Sequence, residues 1–319
     1  MKFRTEIHIP SSGFTITHKS KIMMIGSCFV ENISAKLLGS GFHVDVNPFG
    51  IVYNPVSVHR VLEDILRKRE YQEEELFMHQ GIYHSFSHHS RFSGLDPKQV
   101  IENINSRIGQ SFLFLREADF LIITYGTANV YYQVDNGEPV ANCHKLPSAL
   151  FRNARLMPED IFKSWGGLLP LLRKINPGIK IIFTISPVRH WKDGAHDNQV
   201  SKSILFVGLD KLISTHDNMY YFPSYELMMD DLRDYRFYAE DMLHPGSQAV
   251  EYIWSKFLDT YLTETTRSTL REWESIRQAV RHRPFNPESD EYRRFLEKTE
   301  ERKANFLSRN PDFLENLSL

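Results

Sequence analysis

Three runs in this chain are apolar almost without interruption: "KIMMIG" at 21–26, "DFLIIT" at 119–124 and "IKIIFTI" at 179–185. A strand that is apolar at successive positions keeps both faces out of water, so it belongs inside a sheet covered on two sides. Each run is followed, at a distance, by apolar residues at helical spacing. After the first, Phe29, Ile33 and Leu37 share a stripe that Gly39 brings to a stop. "FHVDV" at 42–46 and "MYYFPS" at 219–224 add two further strands. Strands alternating with helices predict an α/β fold with a parallel five-stranded sheet, three-layer α/β/α and flavodoxin-like, over residues 1–263. From 264 to 319 the chain is charged and helical, without strand signal. It is expected to form a helical C-terminal extension that packs on the domain or serves association into a homo-oligomer.

Between the strands, local signals place the helices. Asn54 and Pro55 cap and open one that runs to about Arg69, and Asp96 and Pro97 open another through Val100, Ile104, Ile108 and Phe112. A helix over 158–175 is expected to kink at Gly166, Gly167 and Pro170, and others cover 198–215 and the stretch through Val250, Ile253, Trp254 and Phe257. Residues 75–93 are aromatic and histidine-rich, which predicts a short hairpin or loop insertion. "QVDNGEPVANCHKLP" reads as a polar excursion with turn residues.

Charge narrows the function. With 38 basic and 40 acidic residues the formal net charge is −2, which gives no footprint for nucleic acid or an anionic membrane. No run approaches the length of a transmembrane helix, the first residues lack a signal-peptide core, and Cys28 and Cys143 are the only cysteines. A cytoplasmic location is the expectation. Four of the 14 histidines (His79, His84, His88, His89) crowd into "HQGIYHSFSHH". They have no cysteine or carboxylate companion at ligand spacing, so a polar hairpin or cleft edge is preferred to a metal site.

Open parallel sheets bind ligands beyond the carboxyl ends of their strands, so the residues that follow each strand matter most. The first strand ends in Gly26-Ser27-Cys28. Ser27 reads either as a helix cap or as a nucleophile whose hydroxyl points out of the sheet edge beside the first helical N–H groups. After the last strand comes "DMLH", in which Asp241 can orient the ring of His244 and leave its other nitrogen to act as a base. Oxyanion donors are sought among the N–H groups of Ser27 and Gly50 and the side chains of Thr127 and Asn129. Arg189, His190 and His144 are candidates for a substrate-binding rim.

"IGSCFVENI" at 25–33, "SPVRHWKDGAHDNQVSKSIL" and "FPSYELMMDDLRDYRFYAEDMLHPGSQAVEYIW" resemble the GSCFA family, with Val30 where the family name has alanine. That family is related to the SGNH (GDSL-type) hydrolases, a superfamily of esterases, lipases and carbohydrate deacetylases with a three-layer α/β/α fold. The resemblance implies that Ser27 is the nucleophile, Asp241 the orienting acid and His244 the base, with Gly50 in the place of the second-block glycine. The chain departs from the third block: where G-x-N-D is expected it has Gly126-Thr127-Ala128-Asn129 with no following aspartate.

Taken together, these residues and the resemblance imply a serine esterase-type hydrolase that needs no cofactor or metal. Its expected partner is a small-molecule acyl ester of carbohydrate-like character, from which an acetyl or other short acyl group is removed. An acyltransferase using the same triad, a Cys28 nucleophile and a non-catalytic binding module on the same fold are the rivals.

Overall fold

The computed structural model describes residues 5–314. In chain order, β1 (Lys21–Gly26) enters α1 (Cys28–Gly39), and β2 (His43–Val46) precedes α2 (Pro55–Arg67). The hairpin β3 (Phe77–His79) and β4 (Ile82–His84) leads to α3 (Pro97–Glu117) and β5 (Phe120–Tyr125). Three short strands follow, β6 (Asn129–Gln133), β7 (Pro139–Val140) and β8 (Phe151–Arg155), then α4 (Pro158–Ile175), β9 (Lys180–Ile185), α5 (Ala195–Thr215) and β10 (Met219–Tyr221). A single turn, α6 (Ser224–Glu226), precedes α7 (Ser247–Tyr261), α8 (Glu264–Val280) and α9 (Asp290–Arg309).

The main sheet has the order β10-β9-β5-β1-β2, and every pair in it is parallel. Side chains alternate between two cores, as a strand buried on both faces requires. Met23, Ile25, Leu121, Ile123, Ile181 and Phe183 pack with α2, α3, α4 and α5. Ile22, Met24, Phe120, Ile122 and Ile182 pack with α1 and α7 on the opposite face. The three layers are those expected, and because every pair is parallel the carboxyl ends of the five strands share one edge.

One expectation needs adjustment. The polar excursion after β5 is an antiparallel sheet of order β7-β6-β8, with Tyr131 opposite both Val140 and Asn153. Gly137, at φ 73°, makes the reversal between β6 and β7. Helix α4 continues through Gly166, Gly167 and Pro170. Its stripe of Ile161, Trp165, Leu168 and Leu172 is held against the sheet, and that packing outweighs one missing N–H.

The two last helices, with Phe313 beyond them, build a core of their own from Trp273, Ile276 and Phe306. It sits on the end of α1: Trp273 Nε1 donates to Gly39 O at 3.0 Å, and Leu314 N donates to Gly41 O at 2.9 Å. No helix among the described residues is long and apolar enough to cross a membrane.

Candidate active site

The turn between β1 and α1 is held from three sides. Gly26 lies so close to β5 that a Cβ would stand 2.3 Å from Thr124 O. Its N–H donates to Asn47 Oδ1 at 2.9 Å, and its carbonyl accepts the N–H of Val52 at 3.1 Å. Asn47, just past β2 and left-handed at φ 43°, braces this turn; its own N–H donates to Met24 O at 2.8 Å. Ser27 follows in extended conformation as the residue before α1. Its hydroxyl makes no capping bond to the helix and has no hydrogen-bond partner among the described residues, although the residue is 1% exposed. Helix capping therefore does not explain this serine. An unspent, buried hydroxyl at a helix N-terminus is costly unless something else uses it.

The segment after β10 forms the opposite wall. Asp241 Oδ1 accepts the N–H groups of Leu243 and His244, both at 2.9 Å, and Oδ2 meets His244 Nδ1 at 2.5 Å. The N–H of His244, then that of Leu243 and then the imidazole bond hold the Asp241 carboxyl down at about 2. The carboxylate thus claims Nδ1 of the ring and leaves Nε2 for another partner. Ser27 and His244 line one cavity of about 640 Å³, together with Cys28, Thr127, Asn129, Arg189 and His190. They do not hydrogen-bond to each other in this conformation.

The expected oxyanion donors fare differently. Gly50 does not fill the role assigned to it: its N–H closes a turn onto Asn47 O at 2.8 Å, and at φ 86° its α-carbon faces His89. The Thr127 N–H donates to Tyr53 O at 3.1 Å, and its hydroxyl pairs with Ser201 Oγ at 3.0 Å while accepting the Asn129 N–H. Asn129 lies in the cavity wall, but its Nδ2 donates to Asp193 Oδ2 at 2.9 Å. The N–H groups at the start of α1 are left as the donors nearest Ser27.

On the rim, His190 is anchored by its N–H to Asn198 Oδ1 at 2.9 Å and stands edge-on to Tyr53. Burial, reinforced by Lys202, pushes its ring down to about 4, so it is neutral near pH 7. His144 is not a rim residue. It is buried behind the β3–β4 hairpin, with Nε2 bonded to Ser85 O at 2.9 Å and Nδ1 to Ser90 Oγ at 3.3 Å. His88 of the same cluster is stacked on Phe49 and pushed by burial to about 3. Both are packing residues of the hairpin. Cys28 borders the cavity, and burial raises its thiol pKa, which disfavours the thiolate that a nucleophile needs.

Lys202 was absent from the sequence-based candidates. It projects from α5, fully buried, and donates to Ser186 O at 2.7 Å directly behind the cavity wall. Desolvation pushes its amine down to about 7, opposed by the Cys28 thiol and aided by Arg189. A signal for it exists in the sequence: Lys202 shares a helical stripe with Leu205, Leu209 and Leu212, the face that α5 buries.

No protein of curated function matches this chain in sequence. Among solved structures it is similar to a carbohydrate esterase family 3 from Talaromyces cellulolyticus, with 9% identity over 80% of this chain and 99% of that one and a TM-score of 0.35. A family 3 carbohydrate esterase of Clostridium thermocellum aligns at 10% identity over 79% of this chain and 97% of that one, with a TM-score of 0.34. An acetyl xylan esterase, Est2A, from the rumen bacterium Butyrivibrio proteoclasticus aligns at 13% identity over 84% of this chain and 67% of that one, with a TM-score of 0.36. Family-level matches are far more specific: residues 273–318 match the GSCFA domain protein, C-terminal domain, and residues 21–257 match the GSCFA family across the sheet and both walls of the cavity. The chain belongs to the GSCFA family.

Proposed function

We propose that this protein is an esterase-type serine hydrolase that removes an acetyl or other short acyl group from a small, carbohydrate-like substrate. The observation that carries the reading is the pairing of Asp241 with His244 at 2.5 Å on a cavity that also holds the uncommitted hydroxyl of Ser27. In this mechanism Ser27 Oγ attacks the acyl carbon while His244 Nε2 takes its proton. The carbonyl oxygen becomes an oxyanion beside the first N–H groups of α1, where the positive end of the helix dipole lies. Collapse expels the alcohol, which receives the proton from imidazolium, and water then cleaves the acyl-serine by the same route. Asp241 stays ionised throughout and stabilises the imidazolium. The Ser27–His244 bond is made when substrate draws the exposed "DMLH" loop inward; such bonds are often open in ligand-free enzymes.

A second reading rests on Gly50 and Thr127. Since both N–H groups are committed elsewhere, the oxyanion hole is thinner than a triad usually has, which favours a small-ligand or glycan-binding module on the same fold. Labelling with a fluorophosphonate probe separates the two. Wild-type protein is expected to label and Ser27→Ala not to label, with Cys28→Ser still reacting. A wild type that stays unlabelled, or labelling that survives Ser27→Ala, removes the hydrolase reading.

A further inference from the structure

Beyond the strand β9, one wall separates two cavities. On one side lies the crevice with Ser27 and His244; on the other lies a cavity of about 490 Å³ bounded by Trp191, Tyr235, Tyr238, Met242 and Leu243. Arg189 and Trp191 belong to both. The second cavity abuts the DMLH loop directly, since Asp241 also borders it, so a molecule whose acyl group reached Ser27 would extend past Arg189 into it. Trp191 is 50% exposed and Tyr235 is 74% exposed, an unusual display of aromatic surface beside a cleft.

Arg189 is the charged group in that wall left without a polar partner. Among the described residues its guanidinium has neither a hydrogen bond nor a carboxylate partner, and its Nε is buried. It lies over the Trp191 ring at 5.0 Å. The acidic groups nearby are engaged: Asp241 with His244, Asp234 with Arg236 at 3.7 Å, and Asp193 with Asn129. Arg233, across the second cavity, is paired with Asp230 at 2.5 Å. Lys192 adds a second positive charge to the crevice. A guanidinium that lies on an aromatic face and is left unpaired by the protein can present two N–H groups to two oxygens of an anion.

We propose that Arg189 is the docking group for an anionic substituent, carboxylate or phosphate, on the substrate, whose ring or chain lies along Trp191 and Tyr235 in the second cavity. This rests on the hydrolase reading for the acyl half of the substrate and extends it by assigning the other half. The substrate class is an acyl ester of an acidic compound rather than of a neutral one.

The test uses three aryl acetates of matched shape: 4-acetoxybenzoate, 4-acetoxyphenyl phosphate and the neutral methyl 4-acetoxybenzoate. Wild type is expected to favour at least one anionic ester over the neutral ester in kcat/KM, mainly through KM. In Arg189→Met that ratio should fall by about tenfold or more, and in Arg189→Lys by less, because charge remains but the planar fork is lost. A ratio unchanged in Arg189→Met overturns the proposal, and whichever anion loses more identifies the group recognised. A second arm is independent of turnover. Ser27→Ala protein is titrated with 4-hydroxybenzoate, phenyl phosphate and methyl 4-hydroxybenzoate while tryptophan fluorescence is followed. Saturable quenching by an anion, lost in Ser27→Ala/Arg189→Met, supports the site even if no ester is hydrolysed. Equal quenching by the neutral ligand, or none by either anion, refutes it.

Discussion

Among the described residues Lys202 has no carboxylate partner, yet it is enclosed completely, with one carbonyl acceptor and the ring of Tyr225 at 5.5 Å. Burial costs a charged amine more than one hydrogen bond returns. With its pKa depressed to about 7, the side chain carries the full penalty below pH 7, where it is charged in the folded and unfolded states alike. As pH rises from 7 toward 10.5 the folded form releases the proton first, and stability recovers. Lys202→Met is therefore expected to raise stability by roughly 2–3 kcal/mol at pH 6, a gain that shrinks steadily toward pH 10. Thermal unfolding at several pH values checks this; a gain independent of pH would show that the amine is not titrating where burial places it. At this scale the positions of Ser27 and of the bonded pair Asp241 and His244 about one cavity were legible, from the turn that ends β1 and from the D-x-x-H ahead of α7. Gly50 and His144 were not, because a glycine or histidine in a loop reveals nothing about who receives its N–H. That depends on Asn47 for one and on Ser85 for the other, residues brought there by packing.

Among the elements, the junction of β1 and α1 bears the tightest constraint. A methyl group on residue 26 would lie 2.3 Å from Thr124 O, and since that contact is backbone, strand β5 or the turn must move. Gly26→Ala is expected to cost about 1–3 kcal/mol and to abolish fluorophosphonate labelling although Ser27 is intact. Denaturant unfolding and labelling of the same sample test the two effects together, and full labelling would show that the turn is not what aims the hydroxyl. The long elements were legible from periodicity: α3 from the stripe that starts after Asp96, β9 from its unbroken apolar run. The sheet of β6, β7 and β8 was missed although "DNG" at 135–137 is a hairpin signal. Its strands are short, half-buried and polar, so their pattern does not separate from a loop until the partner strands are known.

At the scale of the molecule, the C-terminal helices grip the end of the same α1 whose beginning carries Ser27. Trp273 joins that contact to the Phe306 and Phe313 rings, at 5.3 and 4.8 Å, and bonds to Gly39. Trp273→Ala removes a buried indole and is expected to cost about 3–5 kcal/mol in chemical denaturation. A loss under about 1 kcal/mol would mean that α8 and α9 contribute little to the stability of the whole. Apolar patterning along the chain was sufficient for the layered α/β architecture, since a strand with two oily faces has few ways to hide both. The register of the site was out of its reach. Whether Oγ of Ser27 is spent or spare, whether Arg189 finds a carboxylate, and which lysine ends in the dark are questions of distance between residues far apart in the chain. Only packed coordinates set those distances, because each depends on how every intervening layer fits.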